Sequence, residues 1–280
     1  MKVTFFGTTT LLFDDGKDQI LFDAHITRPS LKKYVLRKKV GTNTALCDNL
    51  IKLHKIDRLR AIFISHTHHD HVMDAPYIAN KCGAKIYGSD SAKNVALGGN
   101  VPPDNIVVFE HGSNFTIGEY KIRILKSLHS KPNIFNNDLG QQITEPLVQP
   151  ASLRAYKEGG SYDFYIEHRE KKLLIRPSCN YIKGQLDGKS ADVLFLGVAG
   201  IAKTDKDFEK AFFSETVEKA KPHLVIPIHW DNFFSPLDRP IKDMPVFLKN
   251  PELVFFKTAK YCEAHKINFL IQYPCTAIDI

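Results

Sequence analysis

Ser65-His66-Thr67-His68-His69-Asp70-His71 is the stretch that most restricts what this chain can become. It follows Ala61-Ile62-Phe63-Ile64, a β-branched and aromatic run that reads as a buried strand, and it precedes Val72 to Ala79, which reads as a helix start. In an extended chain His66 and His68 point the same way and Asp70 shares their side. His71 follows where the chain bends towards the helix. Imidazole and carboxylate are the donors that zinc, manganese and iron prefer. A loop built this way can feed two metal positions a few ångströms apart. A surface loop that merely happens to be rich in histidine is a poor account of that spacing after a strand.

The chain has 280 residues, 43 % hydrophobic and 25 % charged, enough to bury a substantial core in one domain or two. No run approaches the ~20 apolar residues of a membrane-spanning helix, so no membrane role is expected. The opening Met1-Lys2-Val3-Thr4-Phe5-Phe6-Gly7 breaks too early for a signal peptide and reads as a first strand. Five scattered cysteines without C-x-x-C spacing argue against a disulfide framework and for a reducing compartment, so a cytoplasmic protein is expected. A net charge of +7 favours anionic partners, either a phosphorylated or carboxylated small molecule or a nucleic acid. Lys32, Lys33, Arg37, Lys38 and Lys39 alternate with Leu31, Tyr34, Val35, Leu36 and Val40 at helical spacing. That basic run reads first as the solvated face of an amphipathic helix, and second as a substrate or nucleic-acid patch.

Lys2 to Phe6, Thr9 to Phe13 and Gln19 to Phe22 read as a β-meander turning at Gly7 and at Asp14-Asp15-Gly16. The third strand runs into Asp23, His25 and Arg28. A helix is expected over 44–58 and a strand over 58–64, then a helix from Ala75 to Lys81, a strand from Ala84 to Tyr87 and a helix from Ser89 to Leu97. Short strands follow over 106–109, 115–117 and 120–125, the last leading to His129. Residues 131–160 are rich in Pro, Asn and Gln and read either as an insertion that caps a pocket or as a surface insertion that touches nothing. A hairpin of 161–167 with 171–175 leads to Ser178 and Cys179. A strand over 191–197, a helix over 205–219 and a strand over 224–228 end at His229, with Phe233 and Phe234 beyond as candidate pocket walls. No dinucleotide fingerprint, phosphate-cradling loop or nucleophile-elbow serine occurs.

The motif His66-x-His68-x-Asp70-His71, followed by strands that close on His129 and His229, resembles the metallo-β-lactamase-fold hydrolases from about Val3 to His229. The resemblance implies an α/β fold, a four-layer αβ/βα sandwich with metals at the strand ends, as a single domain over 1–280. It implies that His66, His68 and His129 hold one divalent ion and that Asp70, His71 and His229 hold a second. Zinc is the first expectation, with manganese or iron as alternatives. Asp23 stands where many relatives carry a supporting aspartate, and His25 and Arg28 follow it in a loop that either faces substrate or serves structure. Relatives commonly show Gly-Asp-Thr-Gly-Tyr, with a metal-bridging aspartate, where this chain has Pro177-Ser178-Cys179-Asn180-Tyr181. That places Ser178 at the bridge position, with Cys179 one register away as an alternative ligand.

The opening strands and the ending His229-Trp230-Asp231 resemble most the branch that contains ascorbate-phosphate lactonase. The expected function is a metal-dependent hydrolase of a small anionic ester, lactone or phosphodiester. Two ions would acidify a shared water into a hydroxide nucleophile, and Asp70 would both ligate and orient it. One alternative is a nuclease or RNA-processing enzyme of the same fold, although no appended nucleic-acid module is visible. The other is a non-catalytic metal-binding protein with a degenerate site, for which Ser178 is the evidence. Oligomeric state is not set by these residues.

Overall fold

Along the central strands, side chains turned one way are aromatic or aliphatic, and those turned the other way are apolar too. Ile20, Phe22 and Phe63 enter one core cluster while Leu21 and Ile62, between them, enter another. Leu173 and Ile175 likewise face one cluster and Leu174 a third. A sheet apolar on both faces must be covered on both, and this drives the chain into layers.

The computed structural model describes residues 1–132, 137–241 and 250–280. The first half runs β1 (Lys2–Phe5), β2 (Leu11–Asp14), β3 (Gln19–Phe22), α1 (Leu31–Val35), β4 (Lys39–Val40) and α2 (Thr44–Leu53). It continues through β5 (Leu59–Phe63), α3 (His69–Val72), α4 (Ala75–Cys82), β6 (Lys85–Gly88), α5 (Asp90–Gly98) and β7 (Ile106–Val108). The second half runs β8 (Asn114–Ile117), β9 (Tyr120–Ser127), β10 (Ala151–Ser152), β11 (Ser161–His168), β12 (Lys171–Arg176) and β13 (Val193–Gly197). It closes with α6 (Lys206–Phe213), β14 (Leu224–Ile228), α7 (Pro251–Ala264), β15 (Asn268–Phe269) and β16 (Thr276–Asp279).

Two seven-stranded sheets result, ordered β16-β1-β2-β3-β5-β6-β7 and β15-β14-β13-β12-β11-β9-β8. Their inner faces meet through an aromatic layer in which Phe22 lies 5.1 Å from Phe164 and Phe13 lies 5.7 Å from Phe195, centroid to centroid. Side chains of α4 and α5, such as Ile78 and Val95, cover the outer face of the first sheet. Phe212 and Phe213 of α6 and Val254 of α7 cover that of the second. Helix starts are capped by their own chemistry: Asn43, Asp205 and Asn250 each accept a hydrogen bond from the backbone three residues on. Helix α4 carries Pro76 in its first turn and ends at Gly83, whose left-handed φ of +68° favours glycine.

Two expectations are corrected. The basic helix of 31–40 stops at Val35, because Arg37 turns left-handed at φ +51° and Lys39–Val40 pair with Ala151–Ser152 as strands. Its lysines are exposed, as a solvated face requires. The helix over 205–219 is regular only to Phe213 and continues as a π-helical turn over Ser214–Glu218. The tail beyond His229, which carries no motif, supplies β16, which pairs antiparallel with β1 at the edge of the first sheet. Strands β3, β5, β6, β12, β13 and β14 enter parallel pairings, so their carboxyl ends gather on one side, where such sheets place their ligands.

Candidate metal centre

The ends of five strands meet there. Asp23 follows β3, the histidine loop follows β5, His129 follows β9, Ser178 follows β12 and His229 follows β14. Ligand atoms of His66, His68 and His129 lie within 4.8 Å of one another, and so do those of Asp70, His71 and His229. The two sets adjoin, since the His66 and His71 ring centroids are 3.7 Å apart. Asp70 Oδ2 is 3.8 Å from His71 Nε2 and 3.5 Å from His229 Nε2.

Several of these imidazoles are aimed by a bond on one ring nitrogen. Asp23 accepts from His71 Nδ1 at 2.8 Å, from the Ser65 hydroxyl at 2.7 Å and from the Ser65 N–H at 2.7 Å. The Ser65 proton is therefore spent on Asp23, and its oxygen is left to accept from His66 Nδ1 at 3.2 Å. His129 Nδ1 donates to the Ser130 carbonyl at 3.0 Å. A carbonyl only accepts, so His129 carries its proton on Nδ1 and its acceptor lone pair on Nε2. Among the described residues His66 Nε2 is buried without a hydrogen-bond partner, as an atom that ligates an ion would be. Burial, and then the neighbouring imidazoles, hold His66 well below an ordinary histidine value, and burial holds His129 down to about 3. Burial raises Asp70, but the imidazoles of His71, His69 and His229 outweigh it and hold the carboxyl well below the usual range. Neutral imidazoles beside an ionised carboxylate are the donor set a divalent transition metal takes, so the residues fit the group.

The remaining sequence candidates fall differently. Asp23 is 1 % exposed and sits behind His71, a supporting position. His25 is buried, with Nε2 donating to the Phe233 carbonyl at 3.0 Å and its ring 5.9 Å from that of His69. Arg28 is buried in an ion pair with Asp231 at 2.7 Å and also donates to the Phe6 carbonyl. Ser178 is buried but joins neither ligand group among the described residues. The Cys179 side chain packs with Leu125, Leu196 and Phe212 in the helix-side core, and burial pushes its thiol up to about 12. Its sulfur joins neither ligand group among the described residues. Phe233 and Phe234 do line this side, the Phe233 ring 5.7 Å from that of His229 and the Phe234 ring 6.3 Å from that of His69.

Several residues escaped sequence reasoning. Asp231 accepts from the Thr8 N–H at 2.7 Å, while the Thr8 carbonyl accepts from the His229 N–H at 2.5 Å, so the β1–β2 turn holds a ligand in a left-handed conformation, φ +61°. Asp74 gathers the 26–27 backbone, and Asn180 donates to the His129 carbonyl at 2.7 Å. A third group, Asp15, Glu119 and His168, lies among hairpin turns at the opposite strand ends. There Glu119 is paired with Lys17 and Arg169, and His168 is bonded to Asp15, which describes a salt-bridged knot.

The comparisons with known proteins bear on the same stretch. Residues 18–230 match the family described as beta-lactamase superfamily domain. The chain belongs to that superfamily. A UPF0173 metal-dependent hydrolase of Christiangramia forsetii is 29 % identical over 132 residues, 46 % of this chain and 49 % of that one. A protein of the same name from Carboxydothermus hydrogenoformans is 23 % identical over 237 residues, 83 % of this chain and 86 % of that one. The chain thus spans about half the length of the first of these relatives. Among solved structures, the metallo-beta-lactamase fold protein YhfI of Bacillus subtilis superposes with a TM-score of 0.61 over 99 % of both chains at 15 % identity. That likeness shows the metallo-β-lactamase fold, the four-layer sandwich expected.

The buried histidines set a pH dependence for the metal-free protein. Burial holds His25 down to about 3 and His69 down to about 4, against about 6.5 in an unfolded chain. Between those values the unfolded state binds a proton at each and the folded state does not, so stability falls as pH falls. Thermal melts of metal-free protein are expected to lose about 1.4 kcal/mol per pH unit per histidine below pH 6.5, with no such slope above pH 7. A midpoint that stays level from pH 6.5 to 4.5 would contradict it.

Proposed function

We propose that this protein is a metal-dependent hydrolase of a small anionic ester, lactone or phosphodiester. In this reading His66, His68 and His129 hold one divalent ion and Asp70, His71 and His229 a second. The observation that carries it is the pair of adjoining three-donor groups at the strand ends. The name metal-dependent hydrolase, borne by relatives, supports it. Two ions in these positions would supply Lewis acidity and a water acidic enough to attack at neutral pH. The protein's own part is positional. Asp70 offers the one carboxylate of the six donors and reaches towards both His71 and His229. Asp23 fixes the tautomer of His71, and Phe233 and Phe234 form an aromatic wall on that side.

An anionic substrate suits the net charge of +7 and the Arg154 guanidinium, 5.3 Å from the Tyr34 ring centroid, itself 5.7 Å from His69. Segment 137–160 is stitched to the histidine loop, where Thr67 donates its N–H to the Glu158 carbonyl and its hydroxyl to the Lys157 carbonyl. This supports a role for the segment as one wall of the substrate pocket. Of the expected insertion, residues 133–136 lie outside the described residues.

Elemental analysis of purified protein is expected to find two equivalents of zinc, manganese or iron, one for each ligand group. A chelator should remove them together with hydrolysis of a lactone and phosphodiester panel, and re-addition should restore both. Protein that takes up no metal on reconstitution, or that hydrolyses equally well without it, would refute the reading.

A further inference from the structure

Resting on that metal assignment, His68 takes its aiming bond from outside the core of the fold. Its Nε2 lies 3.0 Å from Oδ1 of Asp138, in the segment between β9 and β11, with both side chains mostly buried. A carboxylate accepts and cannot donate, so the ring proton belongs on Nε2 and the lone pair on Nδ1. His68 is thereby reversed relative to His66, His71 and His129, whose Nδ1 atoms are bonded to the protein. We propose that Asp138 is a positioning residue of the metal centre, fixing His68 with Nδ1 turned to the ion that His66 and His129 share.

The contact is built from both sides. The Asp138 carbonyl accepts from the Gln141 N–H at 2.9 Å, and the Gln141 carbonyl accepts from the Gly159 N–H at 2.9 Å. The Gly140 N–H donates to Glu158 Oε2 at 2.9 Å, while the Glu158 backbone carbonyl accepts from Thr67, the residue between His66 and His68. The Ser161 hydroxyl holds the other Glu158 oxygen at 2.6 Å. At Gly159, with φ +68°, a Cβ would strike the Thr67 hydroxyl and Ser91, so this close approach depends on glycine. Asp138 itself joins neither ligand group, so it acts through His68. The segment thus brings a carboxylate to the edge of the site. A metal-ligating imidazole whose other nitrogen is held by a carboxylate is fixed in tautomer and made more basic.

Asp138→Ala and Asp138→Asn, measured beside wild type and His66→Ala, test this. Zinc affinity by chelator competition is expected to weaken by about 10- to 100-fold in Asp138→Ala. The loss should be smaller in Asp138→Asn, whose amide oxygen still accepts from Nε2–H. Nitrogen-15 spectra of metal-free wild type should show His68 as the Nε2–H tautomer, and those of Asp138→Ala a mixture. Zinc affinity in Asp138→Ala within twofold of wild type, or an Nδ1–H tautomer in wild type, would overturn the proposal. So would a lowered metal-free melting temperature with unchanged zinc affinity, since Asp138 would then serve structure alone. If His66→Ala also keeps its full zinc, the metal assignment has failed and the proposal falls with it.

Discussion

Asp70→Ala is expected to leave the protein with one metal equivalent in place of two and to lower turnover by roughly 10³-fold, near the floor of a coupled assay. Asp70 is the only carboxylate in either ligand group, and without it the second position keeps only the imidazoles of His71 and His229. A metal in such a site contributes several kcal/mol of charge stabilisation in the transition state, and each 1.4 kcal/mol or so is tenfold in rate. His66→Ala should empty the first position instead. His229→Ala should behave like Asp70→Ala, since its Nε2 is 3.5 Å from the same carboxylate oxygen. On the resemblance that puts Ser178 at the bridge position, the second ion should be the weaker of the two, so titrating zinc into metal-free wild type should show two steps. Metal content by elemental analysis, with circular dichroism to check folding, decides the matter. A wild type with one equivalent, lost in His66→Ala and kept in Asp70→Ala, would redraw the centre around a single ion.

The residues that form the two groups are legible because the signal is local. His66, His68, Asp70 and His71 fall in one loop behind one strand, and His129 and His229 each end a strand whose apolar run is plain in the chain. Asp23 was legible for the same reason, as a strand-end carboxylate. The groups that aim these ligands were not, because their partners are distant in sequence. Asp138 reaches His68 across 70 positions, and Arg28 meets Asp231 across more than two hundred. Spacing carries no trace of such pairs. Local periodicity also misled where a non-local pairing won: 31–40 has the pattern of a helix, but Lys39–Val40 takes a strand partner at Ala151–Ser152. The edge strand β16 is short and nearly featureless in composition, and only its pairing with β1 reveals it.

Arg28→Ala is expected to cost about 3–5 kcal/mol of folding stability, a large share of the roughly 5–15 kcal/mol a domain has. Both charged groups of the Arg28–Asp231 pair are fully buried, 2.7 Å apart, and removing the cation strands an anion in the core. Arg28 also donates to the carbonyls of Phe6, Asn232 and Ser235, tying the β1–β2 turn to the loop after His229. At Gly7 a Cβ would collide with the Arg28 guanidinium, so the turn is shaped around it. Arg28→Met combined with Asp231→Asn should recover much of the loss, because the asparagine oxygen still accepts from the Thr8 N–H and no lone charge remains. Metal binding separates this from a purely structural effect. Asp231 grips Thr8, and Thr8 holds the His229 backbone, so single variants that still fold should lose the second zinc before the first. Stable variants with both zinc sites intact would show that His229 needs no such clamp. Unchanged melting in Arg28→Ala would show that the buried pair contributes nothing net.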